Sequence, residues 1–144
     1  MARPVLDLVS VVVGDMAASA EFYRRLGVEI SEPVPPWDDL HRSSPTGAGG
    51  AQLDLDSARF APQWNEGWTA GRTGVVLTFA VDSRDEVDRL YGELTGAGAA
   101  GQQPPFDAFW GARYAIVEDP DGTAVGLMSP VDRALATAPP EPSA

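Results

Sequence analysis

Two stretches of this chain share one design: residues 11–27 are VVVGDMAASAEFYRRLG and residues 79–98 are FAVDSRDEVDRLYGELTGAG. Each begins with a run of apolar and β-branched residues, which is typical of a buried strand. Asp15 then stands at a helix N-cap position in the first stretch, and Ser83, followed three residues later by Glu86, forms a capping box in the second. Apolar residues recur at helical spacing behind both caps, and glycines end both patterns. Each stretch therefore predicts a strand, a capped helix and a stop.

The segments that follow each predicted helix extend this repeat. Strand-like runs occupy residues 28–30, 39–42 and 52–56 in the first half and residues 113–118 and 123–128 in the second. The turn DPDG at residues 119–122 joins the last two runs as a hairpin. The predicted fold is α+β, with two βαβββ modules at residues 4–57 and 73–130 in a single domain of residues 1–131. A tryptophan-containing loop joins the modules, and the Ala- and Pro-rich tail at residues 132–144 is predicted to be disordered.

Composition and charge exclude several classes of function. The 144 residues are enough for one domain with its own core. The formal net charge of −11 repels phosphate groups, so neither nucleic acid nor an anionic membrane is expected as a partner. The chain has no cysteine, which removes disulfides, thiolate metal sites and cysteine nucleophiles. No leader or membrane-spanning run is recognised, and a cytoplasmic location is predicted.

Three segments carry a resemblance to a known family: residues 11–27, residues 79–98, and residues 109–127, FWGARYAIVEDPDGTAVGL. Together they resemble the vicinal oxygen chelate superfamily, also called the glyoxalase/bleomycin-resistance/extradiol-dioxygenase family. With the intervening strands, the resemblance covers nearly the whole chain up to residue 130. It implies that each module curls into half of an open cup-shaped mixed sheet, that the two concave faces form the ligand site, and that the protein is a homodimer.

Enzymes of this family bind a divalent metal through four side chains on the cup strands. By the resemblance, these positions fall on Leu8, Asp54, Val76 and Gly126, of which only Asp54 carries a metal-binding group. The chain has one histidine, so no shifted alignment restores a pair of histidine ligands. This departure from the metal-binding pattern of the family implies no metal and no other cofactor, and it argues against glyoxalase and dioxygenase chemistry. The resemblance therefore points to the metal-free branch, which is similar to bleomycin-resistance proteins that bind a drug and sequester it.

The aromatic side chains supply the first group of candidate binding residues. Trp37, Trp64 and Trp68 lie in Pro- or Gly-rich connections, while Phe109 and Trp110 precede a predicted strand. Large aromatic rings around an open sheet can stack on flat ligands, and their faces attract cations. These residues are therefore predicted to line the ligand site. The alternative is that they cover sheet edges or a dimer contact.

Polar residues on the strands are the second group of candidates. His41 could act as a general base or as a hydrogen-bonding group on the cup wall, or it could be structural. Asp54 could meet a cationic or hydroxylated ligand, or be an exposed strand carboxylate. Arg113 alternates with Tyr114, so one of the two is expected to face the cup. The arginine could pair with Asp54 or with a ligand oxygen, or form a salt bridge across the sheet.

The sequence favours a binding protein over an enzyme, and no catalytic residue is predicted. The expected ligand is a small aromatic molecule, preferably cationic, because stacking residues occur in a strongly acidic chain. The expected role is to sequester an antibiotic-like or toxic compound. The alternatives are a metal-free isomerase or cyclase, a lyase or dioxygenase with an unrecognised metal site, and a metabolite sensor. Several titratable groups converging in the pocket would favour the enzyme, whereas an aromatic sandwich with few of them would favour the binder.

Overall fold

The computed structural model of the chain describes residues 3–25, 28–45, 51–70, 74–118 and 122–142. Within these ranges, the strands and helices are β1 (Val5–Val13), α1 (Met16–Arg25), β2 (His41–Ser43), β3 (Gln52–Ser57), β4 (Val75–Ala80), α2 (Arg84–Gly96), β5 (Gly101–Asp107), β6 (Arg113–Glu118) and β7 (Ala124–Met128). Short 3-10 turns cover Ala61–Gln63 and Arg133–Leu135. No helix in the described ranges is long and apolar enough to cross a membrane.

The strands form one seven-stranded mixed sheet in the order β2-β3-β1-β4-β7-β6-β5. The first strands of the two halves, β1 and β4, pair antiparallel at its centre, and each has the last strand of its own half as a parallel neighbour. The registers of the two halves correspond, since Asp54 lies opposite Ser10 in one and Gly126 lies opposite Thr78 in the other. The fold is therefore α+β with an open mixed sheet, as the sequence predicts.

Both helices begin at the predicted caps and pack on the same face of the sheet. The Ala18 amide donates to the Asp15 carboxylate at 3.0 Å, and the Glu86 amide donates to the Ser83 hydroxyl at 3.1 Å. Two apolar clusters lie behind the helices: Val13, Met16, Ala20, Ile30 and Leu55 at α1, and Val81, Val87, Ala115 and Leu127 at α2. Because side chains alternate along strands, the polar and aromatic residues between these positions lie on the opposite, concave face.

The first half departs from the predicted module at residues 28–30, which are not a strand. The segment that follows contains Pro33, Pro35 and Pro36, and proline lacks the amide donor that a strand ladder needs. The Arg24 guanidinium donates to the Ile30 carbonyl at 2.8 Å, so this carbonyl is paired with a side chain and not with a neighbouring strand. The prediction of a strand here is wrong, and the described part of the first half is βαββ.

The second half contains a strand that the sequence does not predict, β5. Pro104 and Pro105 argue against a strand, but β5 lies at the edge of the sheet, where proline is tolerated. Its register with β6 shifts between Gln103 and Phe106. Strands β6 and β7 pair antiparallel as the predicted hairpin, and Gly122 has the positive φ of 89° expected of its turn. Residues 119–121 of that turn lie outside the described residues.

Residues 132–137 belong to the C-terminal segment that is predicted to be disordered, but they form hydrogen bonds with the rest of the domain. The Asp132 amide donates to the Gly111 carbonyl at 2.9 Å, and the Thr137 amide donates to the Phe109 carbonyl at 2.7 Å. Gly111 has a φ of 97°, and a Cβ at this position would collide with the Asp132 carbonyl oxygen, so the contact requires glycine. These hydrogen bonds hold the segment against the loop that carries Phe109 and Trp110.

The connection between the halves, residues 58–70, packs on the concave face. Phe60 and Trp64 are buried there in one cluster with Tyr114 of β6. The Asn65 side-chain amide donates to the Gln102 side chain at 2.8 Å, which ties the connection to β5. The connection therefore fills part of the concave side and leaves cavities around itself.

Candidate functional site

A cavity of about 360 Å³ opens on the concave face. This volume falls within the range of about 300–1,000 Å³ that is usual for small-molecule sites. Six strands contribute side chains to its wall, together with the connections that carry the large aromatic residues. The aromatic lining residues are Trp37, Phe60, Trp64, Phe109, Trp110 and Tyr114, and the polar ones are Asp7, Ser10, His41, Ser43, Gln52, Asp54, Asp56 and Thr78.

Most of the aromatic residues form a continuous arc of neighbouring rings in the wall of this cavity. Ring centroids are 6.1 Å apart for Trp37 and Phe109, 5.0 Å for Phe109 and Trp110, and 5.1 Å for Trp110 and Tyr114. The arc begins beside His41, whose ring lies 5.7 Å from that of Trp37 in an edge arrangement. Such contacts add to the stabilisation that burial alone supplies, so the arc is a rigid surface against which a flat ligand can pack.

A cluster of polar residues on β2 and β3 also lines the cavity, and we call it the carboxylate cluster: His41, Ser43, Gln52, Asp54 and Asp56. Pairing of the two strands sets His41 opposite Asp56 and Ser43 opposite Asp54. His41 Nδ1 is 2.8 Å from an oxygen of Asp56, and its Nε2 is 2.9 Å from the Ser43 hydroxyl. The Gln52 amide donates to Asp54 at 2.8 Å.

The carboxylates hold His41 in its protonated form at neutral pH. Burial of the imidazole lowers its pKa, but the charge of Asp56, the hydrogen bond to that carboxylate and the charge of Asp54 together raise the pKa of His41 to about 9. A protonated imidazole donates from both nitrogens, which fits the contacts to Asp56 and Ser43. His41 then has no lone pair with which to act as a general base, so its geometry favours the hydrogen-bonding role over the catalytic one.

Asp54 is the carboxylate of the cluster that lies farther from His41. His41 contacts Asp56 directly, whereas the distance from His41 Nε2 to Asp54 is 3.8 Å. Burial raises the pKa of Asp54, while the charge of His41 and the hydrogen bond from Gln52 oppose that rise. Counted by formal charge, two aspartates and a protonated histidine give the cluster one net negative charge. No arginine is among the described residues that line the cavity, so its charge favours a cation.

The comparison with known families agrees with this architecture. The family model of the glyoxalase/bleomycin resistance protein/dioxygenase superfamily matches residues 5–127. The chain belongs to this superfamily. No curated protein matches the sequence significantly.

Solved structures share the fold of this superfamily member at low sequence identity. NAD-dependent benzaldehyde dehydrogenase from Legionella pneumophila superposes with a TM-score of 0.63 and 23% identity, over 87% of this chain and 98% of that chain. Hypothetical protein BH1468 from Bacillus halodurans C-125 gives 0.62 and 14%, over 91% of this chain and 97% of that one. The Mn(II)-bound glyoxalase from Novosphingobium aromaticivorans gives 0.60 and 20%, over 90% of this chain and 40% of that one. At these identities the likeness shows the fold alone.

The four positions that the resemblance assigns to a metal do not fit one in this superfamily member. Leu8, Val76 and Gly126 offer no coordinating group, which leaves Asp54 alone. A longer residue at 126 would also lack room, because a Cβ there would lie 2.6 Å from the hydroxyl oxygen of the neighbouring Thr78. Over the residues that the structure describes, no group of three or more His, Cys, Asp or Glu side chains is arranged to hold a metal ion.

Most of the residues that the sequence proposes for binding line this one cavity: Trp37, His41, Asp54, Trp64, Phe109, Trp110 and Tyr114. Trp68 lines a second cavity of about 340 Å³, beside Asn65 and Gln102. It lies beyond the point where the connection crosses to β5, apart from the other tryptophans.

Arg113 is the second predicted residue that lies elsewhere. Its guanidinium donates to Asp88 of α2 at 2.9 Å and to Asp107 of β5 at 3.3 Å. Since neighbours on a strand face opposite ways, Tyr114 points into the cavity and Arg113 points to the helical side. The suggested pairing of Arg113 with Asp54 is therefore wrong, and the alternative of a salt bridge is what the structure has.

The sequence analysis does not identify several residues that line the cavity, among them Asp56, Ser43 and Thr78. Asp56 had a signal, because Gln52, Asp54 and Asp56 alternate along one strand and must share a face. Ser43 and Thr78 had none, since a lone hydroxyl in a strand carries no pattern that distinguishes the concave face from the other.

Proposed function

We propose that the chain binds a planar, aromatic, positively charged small molecule in this cavity without a metal, and that it sequesters an antibiotic-like or toxic compound in this way. One observation supports the proposal above all: an arc of aromatic rings and a carboxylate cluster with a net negative formal charge line the same cavity. Aromatic faces stack on flat rings and attract cations, and a buried carboxylate adds a charge-assisted contact. The absence of coordinating groups at Leu8, Val76 and Gly126 supports binding without a metal.

Tryptophan fluorescence tests the charge preference with two matched probes. The first is (2-anthracenylmethyl)trimethylammonium, a planar permanent cation, and the second is 2-(hydroxymethyl)anthracene, its neutral counterpart. The cation is expected to bind more tightly, and only its affinity should fall when ionic strength is raised, because salt screens the attraction of the acidic cavity. Equal affinity for both probes at every ionic strength would refute the cation preference.

Two pairs of variants test the residues. Trp110→Ala should weaken both probes by about 5- to 150-fold, by analogy with the stacking of bases on aromatic side chains. Trp68→Ala is its matched control, because Trp68 lines the other cavity. Asp54→Asn should weaken the cation only, and its control is Asp85→Asn on the exposed first turn of α2. Wild-type affinity in both Trp110→Ala and Asp54→Asn would remove the proposed site.

A metal-free enzyme is the second candidate, and one observation favours it. The titratable residues His41, Asp54, Asp56 and Tyr114 converge in the cavity, as an acid–base site requires. Asp54 would be the base of such an enzyme, since burial raises the pKa of its carboxyl and makes the carboxylate a stronger base. Native mass spectrometry of the purified protein, followed by analysis of any bound compound, distinguishes the two. A sequestering protein releases its ligand unchanged, whereas turnover that Asp54→Asn abolishes would establish the enzyme.

We also propose that the protein acts as a homodimer. Val5, Leu6, Val34, Val131 and Leu135 are large apolar side chains that stay between 45% and 65% exposed in the single chain. The sheet is open, with β2 and β5 at its edges. A second copy of the chain could cover both features. The cytoplasmic location stays a prediction from the sequence.

A further inference from the structure

We infer that the Tyr114 hydroxyl donates a hydrogen bond to an oxygen of the ligand, so that the bound molecule is an aromatic cation that also carries a ring carbonyl or quinone oxygen. The inference rests on the proposed function, and it refines the class of ligand. It is carried by two buried residues with hydroxyl groups, Tyr114 and Thr78, which line the cavity and lie against Gly126.

Gly126 makes the room in which the Tyr114 hydroxyl lies. Tyr114 stands on β6 opposite Met128 of β7, and its ring packs 5.1 Å from that of Trp110. A Cβ at position 126 would lie 2.7 Å from the Tyr114 hydroxyl oxygen and 2.6 Å from that of Thr78, closer than real Cβ atoms approach. The two hydroxyl groups therefore occupy the space that any side chain at this position of β7 would need.

These hydroxyl groups have one more donor proton than the protein satisfies. Tyr114 and Thr78 are 4% and 1% exposed, and their oxygens are 3.4 Å apart. That distance is long for two hydroxyl groups, which normally approach to about 2.7–2.8 Å. The contact uses at most one of the two protons, and no other hydrogen bond joins either hydroxyl to a described residue. When Thr78 donates to the Tyr114 oxygen, the phenol proton is the one left over, and since buried donors are normally satisfied, it is available to a ligand oxygen.

The Tyr114 hydroxyl belongs to the same site as the carboxylate cluster. Asp54 and Asp56 lie close enough for their charges to act on the phenol. Burial raises the pKa of Tyr114, so the phenol keeps its proton at neutral pH and is able to donate it. A ligand in the cavity therefore meets a cation-binding group at Asp54 and an oxygen-binding group at Tyr114, with the aromatic arc alongside. An aromatic cation without an oxygen would leave the second group unsatisfied.

Two cations that differ only in ring oxygens test this. The first is (2-anthracenylmethyl)trimethylammonium, and the second is its 9,10-anthraquinone analogue. The wild type should bind the anthraquinone about two- to tenfold more tightly, which is the range of one hydrogen bond. Tyr114→Phe should remove this preference, so that this variant binds the anthracene and the anthraquinone with equal affinity. In the infrared difference spectrum, the carbonyl stretch of the bound quinone should move to lower frequency in the wild type and not in Tyr114→Phe.

A second variant keeps the inference testable if Tyr114→Phe folds poorly. Gly126→Ala retains the phenol but displaces its hydroxyl, so it should also lose the preference for the quinone. Gly92→Ala is the matched control, because a Cβ at this exposed helical glycine meets nothing within 4 Å. A preference that survives in Tyr114→Phe and Gly126→Ala, or a carbonyl band that does not move, overturns the inference and leaves the proposed function standing. Failure of both cations to bind the wild type overturns the proposed function and the inference with it.

Discussion

The charge state of His41 leads to a specific dependence of stability on pH. Its folded-state pKa is raised to about 9 from the ordinary value of 6.5, because Asp56 and Asp54 outweigh the effect of burial. The folded state therefore binds the proton more tightly than the unfolded state does. The resulting stabilisation is present in full below pH 6.5 and is lost as the pH rises through about 9.

The size of this effect follows from the same two values. The interval between 6.5 and about 9 corresponds to about 3 kcal/mol, at 1.36 kcal/mol for each pKa unit. A domain of ordinary stability unfolds with about 5–15 kcal/mol, so the loss is a large fraction of the total. The chain has one histidine and no cysteine, so no other side chain of ordinary pKa titrates near neutral pH.

Urea denaturation across this pH range measures the effect. The free energy of unfolding of the wild type should fall by about 3 kcal/mol between pH 6 and pH 10. His41→Gln is the control, because glutamine keeps an N–H donor for Asp56 but carries no charge, and its unfolding free energy should stay level from pH 7 upward. Proton NMR of the single histidine gives its pKa directly. A histidine that titrates near 6.5, or a wild-type curve parallel to that of His41→Gln, would falsify the charged cluster.

Four further predictions concern packing, capping, metal and assembly. Gly126→Ala should lower the free energy of unfolding by about 1–3 kcal/mol in urea denaturation, because its Cβ collides with two buried hydroxyl groups. Gly92→Ala should instead raise it by about 0.4–1 kcal/mol. Equal stabilities of the two variants would contradict the collision. Ser83→Ala should cost about 1 kcal/mol through loss of the cap of α2, and no change would show that the cap is dispensable. Elemental analysis of untagged protein should find no equimolar transition metal, because Leu8 and Val76 cannot coordinate one; a stoichiometric metal would refute this. Light scattering should give twice the chain mass of 15.2 kDa, and a monomer at every concentration would exclude the dimer.

Local patterns in the sequence predict much of the secondary structure. The caps at Asp15 and Ser83 mark the starts of both helices because capping depends on residues three positions apart. The predictions fail where proline changes the local rule. Residues 28–30 lose their strand beside a proline-rich segment, and β5 forms in spite of Pro104 because it lies at an edge.

The candidate site is also predicted only in part, because residue type and local context identify some of its residues and not their position in the fold. Trp37, Trp110 and Asp54 are recognisable from their type and context, and all three line the cavity. Trp68 has the same type and a similar context, yet it lies in the other cavity. Which side of the crossing connection a tryptophan reaches depends on the docking of that connection against β5, and the sequence around it carries no sign of this.

The sequence by itself determined the family architecture and the lack of coordinating groups at Leu8, Val76 and Gly126, because these depend on residue types at fixed spacings. Only the tertiary structure decided that Arg113 faces the helices, that His41 meets Asp56 and Asp54, and that the Tyr114 hydroxyl lies over Gly126. The physical reason is the register between strands. Alternation along one strand is local, but the neighbour that a side chain meets across the sheet is set by pairing with strands distant in sequence, and the burial and charge of His41 follow from that pairing.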